Sequence, residues 1–143
     1  MSHQKIRGGA DLARFILARY SGKVVEVGVG CVPEVALLLA PHLEVLATEK
    51  TGRTLGGLSV VEDDIFSPNL DLYRGASLLY SIRPPLEMQI AMGRLAQKVG
   101  ADVVVRPLVD EVARIPGFSR TLVNEGEARF YLFSPTSSPS SSR

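Results

Sequence analysis

Val24-Val25-Glu26-Val27-Gly28-Val29-Gly30-Cys31-Val32-Pro33 is the stretch that decides the fold of this 143-residue chain. Its first half is a β-branched, apolar run of the kind that forms a strand covered on both faces. Gly28 and Gly30 then allow a tight turn, and Pro33 suits the first turn of a helix, where its missing N–H would be unpaired anyway. Strand, glycine turn and helix start together make a cradle. The glycines admit a ligand close to the backbone, and the helix offers free N–H groups to polar or anionic atoms. The same residues would also serve a bare strand-to-helix turn, so the case for a ligand rests on what stands elsewhere.

Before this stretch, Met1 to Gly9 is polar and predicts a loosely packed terminus in which His3 has no evident partner. Asp11 is placed to cap a helix carrying Leu12, Phe15, Ile16 and Tyr20 on one stripe, stopped by Ser21-Gly22. After it, a helix is expected from about Val32 to Ala40, ended by Pro41. Leu43 to Thr48 forms a second strand with Glu49 at its carboxyl end. Thr51 to Gly57 is too short and glycine-rich for a crossover helix and predicts a single turn or a loop. Leu58 to Val61 is a third strand leading into Glu62-Asp63-Asp64, and Ser67 to Tyr73 reads as a short capped helix or turn.

Ala76 to Ile82 gives a fourth strand. Pro84-Pro85 opens a helix to about Val99, whose stripe of Met88, Ala91, Met92, Leu95 and Val99 is explained by core packing. Gly100 closes that helix, Ala101 to Val105 is a fifth strand, and a short helix is expected over Val109 to Ile115. Thr121 to Val123 and Ala128 to Phe133 read as two strands joined by a tight turn at Asn124-Glu125-Gly126. From Ser134 to Arg143 only Ser, Pro, Thr and a final Arg remain, a composition that cannot bury enough apolar surface to order itself.

Strands alternating with helices predict an α/β fold: one doubly wound, mostly parallel Rossmann-like sheet with helices on both faces and an antiparallel C-terminal edge. The domain would span residues 10–133, with 1–9 loose and 134–143 a tail. Sixteen Lys and Arg against fifteen Asp and Glu leave a net charge of +1, which gives no support to a nucleic-acid partner. One cysteine excludes an internal disulfide, and no apolar run suits a bilayer span or a signal peptide, so a cytoplasmic protein is expected. No cluster with metal-ligand spacing is evident.

In a doubly wound sheet the ligand crevice opens at the carboxyl ends of the strands, where strand order reverses. That rim gathers Glu26 to Pro33, Glu49-Lys50, Glu62-Asp63-Asp64 and Tyr80 to Pro85. Asp63 and Asp64 are adjacent and must diverge, so only one can meet a ligand. Cys31 stands at a helix start that would favour a thiolate, but it lacks a base. His42 lies beyond the far end of the same helix, roughly 15 Å away at 1.5 Å per residue. Arg83, fixed by Pro84-Pro85, can hold a carboxylate or phosphate over the cleft. Tyr80 is the other candidate for a catalytic role, and Glu87 can simply favour the helix N-terminus.

Glu26-x-Gly28-x-Gly30, followed about nineteen residues later by Glu49 and then by Asp63-Asp64, is similar to the first motifs of class I S-adenosylmethionine-dependent methyltransferases. The resemblance spans about Asp11 to Phe133. It implies cofactor binding by Glu26, Gly28, Gly30, Glu49 and Asp64, with Glu49 on the ribose hydroxyls and an aspartate on the adenine amino group. Val24 to Gly30 together with Tyr80-Ser81-Ile82-Arg83-Pro84-Pro85-Leu86-Glu87 resembles a family of small, functionally uncharacterised archaeal proteins with this fold. Two positions depart from the methyltransferase pattern: Val32 stands where a third glycine is usual, and Arg83 precedes Pro84-Pro85 where an Asp or Asn often holds a target amine. The expected function is therefore an S-adenosylmethionine-binding domain, a minimal methyltransferase acting on a small-molecule or macromolecular acceptor that the sequence does not identify. The alternatives are a non-enzymatic binding or assembly module for RNA or a protein partner, and a nicotinamide-nucleotide (NAD(P)) site. Oligomeric state is not encoded in any feature of the sequence.

Overall fold

The computed structural model describes residues 6–29, 33–55, 57–107 and 111–136. Among these residues eight strands form one sheet: β1 (Lys23–Val27), β2 (Glu44–Glu49), β3 (Arg53–Leu55), β4 (Leu58–Glu62), β5 (Ala76–Ile82), β6 (Asp102–Arg106), β7 (Phe118–Glu125) and β8 (Ala128–Pro135). Their order is β3-β4-β2-β1-β5-β6-β8-β7. The middle five are parallel, whereas β3 and the β7–β8 hairpin are antiparallel at the two edges. Strand order reverses between β1 and β5, so the crevice opens beside Gly28.

Among the described residues three α-helices cover the sheet: α1 (Gly9–Arg19), α2 (Glu34–Leu39) and α3 (Leu86–Val99). One layer of the core joins Leu12 and Ile16 of α1 and Val35 and Leu39 of α2 to Val24, Leu78 and Phe130. On the opposite face Met92 and Leu95 of α3 pack with Val25, Val27, Tyr73 and Ile115. Each layer buries aliphatic and aromatic side chains, worth about 1.5–3 kcal/mol apiece. Among the described residues no helix is long and apolar enough to cross a membrane.

The loop or turn expected over Thr51 to Gly57 contains a strand. β3 runs back along the outer side of β4, so the return leg lies in the plane of the sheet and takes the place of a crossover helix. The short helix expected at Val109 to Ile115 is absent over the described part: residues 111–115 are irregular. Buried Gln89 is the reason. Its side-chain amide donates to the Glu111 carbonyl (2.8 Å) and its oxygen accepts the Ala113 N–H (2.8 Å), holding backbone groups that a helix would use internally.

The N-terminus is tighter than its composition predicts. Ile6 is buried, its N–H donates to Glu34 Oε1 (2.7 Å), and α1 begins at Gly9 rather than after Asp11. Asp11 is not the helix cap. Its carboxylate pairs with Arg14 and accepts the Glu127 N–H (2.8 Å), clamping the β7–β8 turn onto α1. Asn69, by contrast, caps a 3-10 turn at Leu70–Leu72 as expected, accepting the Asp71 N–H. The calls on His3, Gly30, Cys31, Val32 and the tail beyond Thr136 fall outside the described residues.

Candidate functional site

The carboxyl ends of β1, β2 and β4, with the start of α3, surround a cleft of about 290 Å³ lined by Val27, Gly28, Thr48, Glu49, Lys50, Asp63, Asp64, Ile65, Phe66 and Met88. Gly28 forms its floor. It has φ 66°, a left-handed conformation that a side chain disfavours, and its N–H donates to the Thr48 carbonyl (2.8 Å). A Cβ at Gly28 would stand 2.6 Å from Met88 Cε, so the tip of Met88 lies directly over the glycine. The walls are apolar at Val27, Ile65, Met88 and Phe66, the last 59 % exposed.

Of the two adjacent aspartates, Asp63 belongs to the scaffold. Its Oδ2 accepts the Tyr73 hydroxyl (2.6 Å) and its Oδ1 accepts the Asn69 N–H (3.0 Å). Burial and the hydrogen bond to the Asp63 carboxylate push the Tyr73 phenol pKa well up, so Tyr73 stays a donor. Asp64 uses one oxygen to accept the Phe66 N–H (2.9 Å), and among the described residues the other has no partner. Glu49 ends β2 at the cleft, with Oε2 accepting the Thr51 hydroxyl (3.2 Å).

Glu26 is not brought to the cleft. Alternation along β1 puts it on the same face as Val24, beneath α1 and α2, where it is fully buried. Tyr80, expected near the rim, is also fully buried there, and its hydroxyl donates to Glu26 Oε1 (2.8 Å). Glu26 Oε2 has no hydrogen-bond partner among the described residues. Desolvation raises the Glu26 carboxyl to a pKa of about 8, with the Tyr80 hydrogen bond opposing the shift, so the group is held mainly as the neutral acid at pH 7. The pair joins β1 to β5 inside the core, away from the lining of the cleft.

Arg83 stands at the end of β5, one strand over from Gly28. Ser81 Oγ donates to the Val27 carbonyl (2.7 Å), tying the two strand ends together. Arg83 is the only non-glycine with positive φ among the described residues, at 62°. Its N–H donates to the Arg106 carbonyl (2.7 Å).

Spacing brought Gly28, Glu49 and the aspartate pair to one cleft. It gave no sign of Tyr73, Met88 or Arg106, whose places depend on contacts between elements far apart in sequence. Among the described residues no group of His, Cys, Asp and Glu is arranged to hold a metal ion.

Residues 10–134 match the model of an uncharacterised protein family, UPF0146. An Archaeoglobus fulgidus member is 42% identical over 124 residues, 85% of this chain and 92% of the relative. One from Methanothermobacter thermautotrophicus is 41% identical over 125 residues, 85% and 91% of the two chains. Among solved structures, an S-adenosyl-L-methionine methyl transferase from Silicibacter pomeroyi superposes with TM-score 0.56 at 18% identity, covering 90% of each chain. A structure from Methanococcus maripaludis described as a candidate S-adenosyl-L-methionine-dependent methyltransferase gives 0.58 at 10% identity, covering 96% of this chain and 98% of that one. At these identities the likeness establishes a methyltransferase-like fold.

Proposed function

The chain belongs to the UPF0146 uncharacterised protein family, and on that footing we propose that it binds S-adenosylmethionine in the Gly28 cleft and acts as a minimal methyltransferase. The observation that carries this reading is the set of groups around one cleft: a glycine floor that a Cβ would fill, a carboxylate at the end of each of the next two parallel strands, and apolar walls. The methyltransferase names of the structural neighbours support it.

In this reading Glu49 accepts hydrogen bonds from the two ribose hydroxyls, and the unpartnered oxygen of Asp64 accepts one from the adenine amino group. Ile65 and Phe66 cover the purine. Gly28 admits the amino-acid portion once Met88 swings aside, a movement that an unbranched thioether side chain makes at small cost. The bound sulfonium supplies an electrophilic methyl group, and the chain's part is to hold and orient the two reactants. Glu26 and Tyr80 keep β1 and β5 in register behind the site rather than meeting the ligand. A volume of about 290 Å³, at the low end of ligand sites, suits a nucleoside better than a dinucleotide.

A thermal-shift comparison tests this. S-adenosylhomocysteine at a hundred times its Kd stabilises the fold by roughly 2.7 kcal/mol. A shift with NADH and none with either adenosyl compound at millimolar concentration would transfer the site to a nicotinamide nucleotide.

A further inference from the structure

A second cavity, of about 130 Å³, shares the Ile65–Phe66 wall with the Gly28 cleft, since both residues line both spaces. Its other side is one stripe of α3. Ala91, Arg94, Leu95 and Lys98 follow at spacings of three and four residues and so share a helix face. Leu95, 2 % exposed, gives the groove an apolar floor, and the small Ala91 leaves room above it. Arg94 and Lys98 are both exposed and stand four residues apart, with Pro68 completing the facing wall. That wall is held in place: the Asp64 carboxylate accepts the Phe66 N–H (2.9 Å) and the Asp64 carbonyl accepts the Ser67 N–H (2.9 Å). The Phe66 ring is thus presented from a hydrogen-bonded turn, 59 % exposed.

We propose that this groove binds a monocyclic aromatic carboxylate, its ring between Leu95 and Phe66 and its carboxylate between Arg94 and Lys98. Charge sets the sign of the ligand: two cations and no acidic residue are among the described residues that line the groove. Size sets its bulk. A dry cavity of about 150 Å³ holds one benzene ring, whereas sites for drug-sized ligands start at about 300 Å³, so the groove takes a single ring and not a nucleotide. Phe66 offers an aromatic face to that ring, and the Arg94 fork matches the two oxygens of a carboxylate while Lys98 adds a point charge. Most of the lining is apolar, and a doubly charged phosphate would lose more hydration against it than a carboxylate does. The proposal does not depend on the adenosyl reading of the neighbouring cleft.

The test titrates the full chain, in chloride buffer, with benzoate, benzamide, inorganic phosphate and a short single-stranded RNA, following backbone amide chemical shifts. Saturable benzoate binding that moves the Phe66 and Leu95 signals, is roughly tenfold tighter than benzamide binding, and weakens roughly tenfold in Arg94→Gln/Lys98→Gln supports the site. Ala91→Leu, which fills the groove and leaves both charges, should also lose benzoate. Benzoate affinity unchanged in these variants, benzamide binding as tightly, phosphate or RNA binding more tightly than benzoate, or no saturation at tens of millimolar overturns it. Displacement of benzoate by S-adenosylhomocysteine would put the ring in the Gly28 cleft and overturns it too. Benzoate binding intact in a chain that takes no S-adenosylhomocysteine removes the cofactor reading and leaves the groove site standing.

Discussion

The Tyr73 hydroxyl donates to Asp63 Oδ2 at 2.6 Å and lies 3.3 Å from Thr48 Oγ1, so Asp63 is pinned between a buried phenol and the Asn69 N–H while Asp64 is left to face the cleft. Two adjacent carboxylates thus take different roles. Tyr73→Phe should lower stability by about 1.5–3 kcal/mol, the cost of losing a hydrogen bond to a charged group. Asp64→Asn should leave stability within about 0.5 kcal/mol, as for surface changes, yet weaken the adenosyl ligand. Denaturant melts and ligand titration of both variants check this; equal stability losses would reverse the assignment.

Gly28→Ala faces two obstacles, the left-handed backbone and the Met88 tip. The strain costs about 1–2 kcal/mol, and the 2.6 Å approach forces Met88 to move. Met88→Ala in the same chain should recover only the steric part. Additive losses in the double-mutant cycle would mean that Met88 does not lie over Gly28 in solution.

The Glu26 carboxyl makes stability fall as pH rises. Its folded pKa, about 8, is above the ordinary glutamate value of 4.5. Between these values the folded state binds the proton that the unfolded state has lost. The group's stabilising effect is therefore complete below about pH 4.5 and is lost as pH rises to about 8, by at most about 1.4 kcal/mol per pH unit. Glu26→Gln, which cannot ionise, should flatten this part of the profile. Parallel Tm–pH curves for the two proteins between pH 5 and 8 would refute it.

Arg83→Gly should maintain or raise stability by up to about 1 kcal/mol, since relief of the positive φ outweighs the added freedom of the unfolded chain. Chemical denaturation measures this directly. A clear loss of stability would show that the arginine side chain supports the fold itself.

The central parallel strands were legible because their residues, covered on both faces, form apolar runs that polar turns interrupt. Strand β3 was hidden: Thr51 to Gly57 carries no apolar alternation, and the pairing of Arg53 with Val60 comes from the neighbouring strand. The irregular path at 111–115 was hidden for a similar reason, since Gln89, more than twenty residues earlier, holds its backbone. Glu26 is the instructive site residue. Period-two alternation already sets it apart from Val25 and Val27, and that geometry outweighs its nearness in sequence to Gly28. That Gly28, Glu49 and the Asp63-Asp64 pair share one rim was readable from strand-end spacing; which aspartate faces the cleft was not, because the Tyr73 and Asn69 contacts that hold Asp63 come from other elements.

The most direct measurement is calorimetric titration of S-adenosylhomocysteine into the wild-type chain and into Glu49→Ala. The account predicts saturable binding to one site in the wild type and a loss of at least tenfold in Glu49→Ala with the fold intact. Binding that is equally tight in both proteins, or no binding to the wild type at millimolar ligand, would contradict it.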